Sequence, residues 1–370
     1  MKIILLPIFC ATSIFFNGVV NLFFGELFSE AIVILSSALF ILSLERFCIN
    51  DNIIISSLAL CIFSVLNIFH AVLYEQYYRI LFLYPYFLLL LIIPLTLGGA
   101  KLINQTRFSK IIRIFTYCAC VSSVFAVLQR VGFSPILGLE TELRAVGLSR
   151  TSLNLSGCLL AAFSCAVFNL NITYEKMFVS LVIFFGILAA GGRGAIISSL
   201  ILVVIYVTIN FSWKKFQLIA WFIPLIILAV SNFKDWFIRA FSAFDFKNDA
   251  SNLERLDSYA SFIDQFNFFG AWIGSTSPAV GRFAEFTGFE SFFLNSLFDI
   301  GIPFAIILLV GFIFWLYKSY KYLNINYYIY LLALSPMLFG QQAHSTPSVL
   351  SATLVVLSII LINNFIIKNK

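Results

Sequence analysis

Long apolar segments follow one another along almost the whole sequence, and they constrain the fold more than any other feature. Apolar residues make up 61% of the 370 residues and charged residues only 11%, whereas roughly 25% of the residues of a soluble domain are charged. A helix needs about 20 apolar residues to cross a bilayer. The sequence therefore predicts an all-α fold, a polytopic transmembrane helical bundle that residues 1–370 form as one domain.

Twelve apolar windows have lengths suited to spanning helices. The first follows Lys2 and is expected to be the first helix of the mature protein, because no small-residue cleavage site follows it. The windows are residues 4–24, 27–44, 53–74, 80–97, 111–128, 153–170, 177–190, 195–211, 216–230, 291–317, 325–340 and 349–367.

Basic residues indicate the orientation of these spans, because Lys and Arg in short loops stay on the cytoplasmic side. Twelve spans with both termini cytoplasmic leave only three acidic residues, Glu45, Asp51 and Glu175, in cytoplasmic segments. The same segments hold thirteen basic residues, which supports this topology: Lys2, Arg46, Lys101, Arg107, Lys110, Arg113, Lys176, Lys214, Lys215, Lys318, Lys321, Lys368 and Lys370.

Two outer connections are too long to be simple turns, a smaller loop over 129–152 and a large loop over 232–289. Loops of such length usually carry structure or function of their own. In the large loop, apolar residues recur every three or four positions from Leu253 to Phe266, with charged residues between them. This spacing predicts an amphipathic helix that lies on the outer membrane surface or covers a cavity between the spans.

Several arginines fall on the outer side, against the usual distribution of positive charge. A guanidinium binds phosphate through two parallel hydrogen bonds, so arginines that converge there suit a lipid-linked pyrophosphate. The alternatives are anchoring to lipid head groups or pairing with an acidic residue. The set comprises Arg79, Arg144, Arg150, Arg193, Arg255 and Arg282.

A glycine-rich turn separates two of the apolar windows, in the sequence Gly191-Gly192-Arg193-Gly194-Ala195. Glycine permits a tight turn and a close approach of a ligand to the backbone. Arg193 then stands at a helix N-terminus, where free N–H groups and the helix dipole favour an anion. The alternative is a plain turn of a helical hairpin.

Three segments resemble the O-antigen polymerase and ligase superfamily of membrane proteins. The segment from Leu188 to Ala195 is similar to the Ser-Arg-Gly-Ala stretch that opens a span in that superfamily. The order Arg144-Ala145-Val146-Gly147 with Asn154 downstream, and the segments 288–295 and 299–302, resemble two further motifs. The resemblance covers residues 144–317.

The resemblance implies a Wzy-type O-antigen polymerase, a metal-independent glycosyltransferase of the GT-C kind in the bacterial inner membrane. It would join undecaprenyl-pyrophosphate-linked glycans, donor and acceptor, at the periplasmic face without a cofactor. Its further partners would be membrane lipids, a chain-length regulator and a flippase, with no nucleic acid. Arg193 and Arg255 would stabilise the departing pyrophosphate, and Arg79, Arg144 and Arg150 would bind substrate.

The acceptor hydroxyl must lose a proton, and Glu290 at the end of the large loop is the candidate base. Its alternative role is to cap a helix. Asp299 lies within an apolar window, which marks it as a candidate for substrate binding unless the span begins nearer Gly301. His344 lies in a short outer loop, where it either contacts substrate or is simply solvated.

The sequence departs from the superfamily at two points. It has no histidine at the position of Glu290, where the ligases carry one, and no outer arginine shows the Arg-x10-Gly pattern of some polymerases. The acidic pair Glu140 and Glu142 has no histidine or further acid at metal-ligand spacing, so no metal site is expected. A flippase for the same lipid-linked glycan and an O-antigen ligase remain the alternative functions.

Overall fold

The computed structural model describes residues 2–44, 51–73, 105–133, 139–141, 144–170, 173–208, 220, 250–265, 268–270, 292–319, 325–340 and 346–368. This part of the chain is helical apart from one small antiparallel hairpin of strands β1 (Leu139–Thr141) and β2 (Arg144–Ala145). The all-α prediction is therefore confirmed for these residues. The helices are α1 (Lys2–Phe15), α2 (Asn17–Phe24), α3 (Glu26–Leu44), α4 (Asp51–Leu73), α5 (Gln105–Arg130), α6 (Ser152–Asn169), α7 (Thr173–Ala190), α8 (Arg193–Thr208), α9 (Ala250–Gln265), α10 (Phe292–Ser319), α11 (Ile325–Gly340) and α12 (Pro347–Lys368).

Helices lie where ten of the twelve apolar windows predict them; the window 80–97 and, except for residue 220, the window 216–230 lie outside the described residues. Within the described part, α3, α5 and α6 are long and apolar enough to cross a membrane. The bent pair α1 and α2 adds a fourth if it forms one span. These helices indicate a membrane protein, and the set of twelve spans stays a prediction.

The first apolar window forms two helices instead of the single helix that its composition predicts. Helices α1 and α2 meet at a bend of 78°. The N–H of Gly18, at the start of α2, donates to the carbonyl of Leu148 at 3.1 Å, so an N–H that a helix start leaves without an intrahelical partner is satisfied by a distant segment. A side chain at position 18 would overlap the backbone of Ser149. The bend therefore depends on glycine and on a contact between distant parts of the chain.

Helix α6 lies at the centre of the bundle. Every one of its residues except Leu153 is buried, and it packs against α1, α5, α7, α8, α11 and α12. A helix that is apolar on all sides belongs in such a position. Its first turn is capped by Thr151, whose hydroxyl accepts from the Asn154 N–H at 3.2 Å. The start of α6 is thus a fixed point for the segments that surround it.

A helix forms over Ala250–Gln265, where the amphipathic pattern of the large loop predicts one. Phe262 of α9 contacts Phe298 of α10, with ring centroids 6.2 Å apart. After α9, the turn 268–270 packs against a break in α10 at Gly301, where φ is +72°. There the Ile302 N–H donates to the carbonyl of Phe268 at 3.0 Å. The loop helix is therefore joined to the first turns of α10.

Candidate functional site

The glycine-rich turn lies inside the fold. Gly191 ends α7 with a positive φ of 68°, and α8 begins at Arg193 after Gly192, whose carbonyl accepts from the Ile196 N–H at 3.0 Å. Residues 187–196 are all buried, and Arg193 itself is 8% exposed. A solvated hairpin tip would be exposed, so the burial disfavours the reading of a plain outer turn.

Two further helices begin at the same end of the bundle as this turn. Gly192 packs so closely on α6 that a Cβ there would overlap the Ser156 side chain. Ser348, in the first turn of α12, lies beside Cys158 of α6. Helices α6, α8 and α12 therefore begin at the same end of the bundle. The N-termini of α6 and α8 add partial positive charge where Arg193 is buried, an arrangement suited to an anion.

A segment of the smaller loop, residues 144–150, enters the same end of the bundle. The side-chain amide of Gln129 holds its backbone at two points: it donates to the Gly147 carbonyl at 3.0 Å and accepts from the Gly147 N–H at 2.8 Å. The Leu148 N–H donates to the Ser122 hydroxyl, two turns inside α5, at 3.3 Å. This loop is therefore built into the bundle and not suspended above it.

The loop segment 144–150 and the glycine-rich turn lie close to each other along the length of α7. Ser122 of α5 binds the loop, and the adjacent Ser123 packs against Gly186 of α7. Gly186 precedes Gly191 by five residues, which is about 7.5 Å along a helix. Strand β2, which carries Arg144, also packs against α7. The structure thus brings the segment with Arg144 and the turn with Arg193 to the same end of α7.

Arg144 and Arg150 differ in how their charge is compensated. Arg150 forms ion pairs with Glu26 at 2.6 Å and Glu30 at 3.1 Å. For Arg150, the structure therefore favours the alternative role of pairing with acidic residues over phosphate binding. The Nε of Arg144 is buried, and it has no hydrogen-bond acceptor among the residues that the structure describes. Arg144 is therefore the better candidate for an external anion.

Asp299 lies about two turns into α10, partly buried and beside the break at Gly301. Arg255 lies on α9, two turns before Phe262. The contact between Phe262 and Phe298 places α9 next to Asp299. These two sequence candidates therefore share one region, and the described contacts do not join that region to the turn with Arg193.

The other predicted site residues, Arg79, Glu290 and His344, lie outside the described residues, as does Glu142 of the acidic pair. Their roles stay predictions.

Sequence reasoning missed Gln129 and the pair Glu26 and Glu30. No local signal identifies them, because Gln129 acts on a residue eighteen positions away and Arg150 meets Glu30 across 120 positions. The bend at Asn17 and Gly18 did have a signal. Asparagine and glycine are both poor helix formers, and together they interrupt an otherwise apolar window.

No protein-family model, curated protein or solved structure matches this chain.

Proposed function

We propose that the chain is a membrane-embedded glycosyltransferase that polymerises undecaprenyl-pyrophosphate-linked repeat units into a surface polysaccharide, as a Wzy-type polymerase does. The proposal includes twelve spans, both termini in the cytoplasm, and a site on the periplasmic face of the inner membrane. The observation that carries it is the burial of Arg193 where α6, α8 and α12 begin, near the segment with Arg144.

This arrangement suits the chemistry of the transfer. When the glycosyl bond breaks, negative charge grows on the departing lipid pyrophosphate. Cations and helix N-termini that are fixed in advance stabilise that charge without reorganising during the reaction. Arg193 and Arg144 would bind the pyrophosphate, and Arg255 on α9 would approach from the large loop. Glu290 would take the proton of the acceptor hydroxyl.

The bend between α1 and α2 favours a second candidate, a transporter for the same lipid-linked glycan. Transporters often place broken helices around their substrate site. In this chain, however, the N–H at the bend is bonded to Leu148, and Gly18 packs directly on Ser149. At these contacts the broken backbone is packed against protein, as a buried break in a membrane protein can be, which favours the polymerase.

The test is polymerisation by the purified protein in nanodiscs, with lipid-linked repeats extracted from a host strain that lacks the gene. We expect products of two or more repeats together with released undecaprenyl pyrophosphate. Replacing Arg193 by Ala should lower the rate about 100-fold or more, as removal of a group that stabilises transition-state charge does. Arg107→Ala is the matched control. Arg107 is exposed near the start of α5, whereas the segment with Arg144 is bonded to Gln129 near the end of α5.

Deletion of the gene separates the remaining alternatives. Loss of the polysaccharide ladder with one repeat still attached to the lipid core supports the polymerase. Lipid-linked repeats trapped on the cytoplasmic side would indicate a flippase, and polymer that accumulates on its lipid carrier would indicate a ligase. A full ladder from Arg193→Ala protein that reaches the membrane would contradict the site.

A further inference from the structure

The hairpin of α2 and α3 ends in a projecting apolar elbow, residues 22–28. Gly25 joins the two helices there with a φ of +85°. The ring centroids of two of its phenylalanines, Phe24 and Phe28, lie 5.1 Å apart. Five large apolar side chains of the elbow are between 48% and 73% exposed: Leu22, Phe23, Phe24, Leu27 and Phe28. An apolar cluster of this kind requires an apolar environment.

The position of the elbow indicates what that environment is. Helix α3 has 19 residues, which makes it about 29 Å long, close to the thickness of a hydrocarbon core. Its first turn therefore lies at one boundary of the bilayer. Glu26, within the elbow, pairs with Arg150, so charged groups lie at the same level, as they do where lipid head groups begin.

The direction of α2 agrees with this placement. Because α2 leaves α1 at 78°, it runs closer to the bilayer plane than across it. Large apolar side chains are also exposed on α1, at Phe9, and on α3, at Leu35. An exposed apolar surface that ends in an in-plane turn beside charged groups is typical of a segment embedded in the membrane interface.

We propose that the apolar elbow is inserted into the membrane–water interface on the side of the bilayer where Arg144 and Arg193 lie. Its partner is the lipid surface itself. The start of α2 is bonded to the loop segment 144–150, through Gly18 to Leu148 and through Asn17 to the Arg150 N–H at 3.1 Å. The inserted elbow thereby fixes the depth of that segment relative to the head groups. This inference goes beyond the proposed activity and does not depend on it.

The test measures the depth of the elbow with brominated phospholipids, which quench tryptophan fluorescence near the bromine. Phe24→Trp protein is placed in nanodiscs, and the signal of the parent, which has five tryptophans, is subtracted. We expect lipids brominated near the head group to quench the added signal about twofold more than lipids brominated near the chain ends, as for an interfacial segment. Leu27→Trp provides a second probe of the same elbow.

The matched control is Leu35→Trp, an exposed position in the middle of α3. Its added signal should follow the opposite order, with the stronger quenching by the deeper bromines. The proposal fails if the elbow probes are quenched by iodide from water but not by brominated lipid, or if neither quencher reaches them because a second protein surface covers the elbow. It also fails if they match the depth of the Leu35 probe.

Discussion

Two arginines near opposite ends of α5, Arg113 within the helix and Arg144 in the strand β2 that packs on it, differ in their contacts. At one end, Arg113 lies against Glu175 with two contacts, Nε to Oε1 at 2.8 Å and Nη2 to Oε2 at 2.9 Å. The hydroxyl of Tyr117 donates to the same carboxylate at 2.6 Å. At the other end, no carboxylate among the described residues forms an ion pair with Arg144.

From this difference we expect the paired Arg113 to have a structural role and Arg144, which no described carboxylate pairs with, to have a binding role. Arg113 is neutralised by a carboxylate that also joins α5 to α7. Arg144 stands in a segment that backbone hydrogen bonds hold, so that segment is ordered without using the guanidinium charge. The distinction can be tested by removing each arginine in turn.

The largest expected effect comes from comparing Arg144→Gln with Arg113→Gln. Because Arg144 has no carboxylate partner in the described part of the chain, its loss should lower polymerisation about 10- to 100-fold through weaker binding of the pyrophosphate. Arg113→Gln should lower the thermal stability slightly, because exposed ion pairs contribute little to stability, and should change the rate per mole of folded protein less than about twofold. Both rates are measured in nanodiscs after size-exclusion chromatography. Equal losses would remove the distinction.

Replacing Gly192 by Ala tests the contact that positions Arg193. The new methyl group would overlap the Ser156 side chain, and overpacking of this kind costs about 1–3 kcal/mol. We expect a lower melting temperature and a loss of activity. Ser156→Gly in the same chain should restore both, because it removes the atoms that the methyl group would meet. A double variant no better than Gly192→Ala would show that the contact does not position the turn.

Gln129→Ala tests the two hydrogen bonds that hold the backbone of Gly147. It leaves the buried N–H and carbonyl of Gly147 without their side-chain partner, at a cost of about 1–3 kcal/mol. Because the segment with Arg144 is then less ordered, the KM for the lipid-linked repeat should rise more than kcat falls. Gln129→Glu keeps one acceptor for the Gly147 N–H and should recover part of the KM. An unchanged KM would leave Gln129 with a purely structural role.

The smallest expected effect is a change in the pH dependence of stability caused by Glu175, in the first turn of α7. Burial disfavours the Glu175 carboxylate, but the hydrogen bonds from Tyr117 and Arg113 outweigh it and lower its pKa below the usual value. Because the folded pKa lies below the unfolded one, the carboxylate stabilises the fold above the unfolded pKa. That stabilisation is lost as the pH falls through the folded pKa.

Glu175→Gln should therefore melt below the wild type at neutral pH, and the difference should narrow in acid. Tyr117→Phe, which removes one of the two donors, should show a smaller difference at neutral pH. Melting curves across the acid range measure both. A constant difference at every pH would mean that the charge of Glu175 does not stabilise the fold.

Much of the helical architecture follows from local sequence. The window 325–340 coincides with α11, and the amphipathic pattern from Leu253 coincides with α9 within a few residues. The glycine-rich sequence predicted a turn before Arg193, and α8 does begin there. Such features depend on residues within one or two turns of each other, so composition and periodicity are enough to predict them.

The candidate site was predictable only in part. The sequence identified Arg144, Arg150 and Arg193 as one group of outer arginines. It could not separate Arg150, whose partner Glu26 is far away in the chain, from Arg144. It also could not show that the turn with Arg193 is buried, because burial depends on which helices surround a segment.

The sequence by itself determined that this chain forms apolar helices of spanning length, and that a helix starts at an arginine after paired glycines. Apolar length and glycine act locally, so they have the same effect in any fold. The tertiary structure decided that α6 is central, that α1 and α2 meet at a bend, and that α6, α8 and α12 begin at the same end of the bundle as the buried Arg193. These features arise where segments far apart in the chain satisfy each other's backbone groups and fill each other's space, which no local pattern encodes.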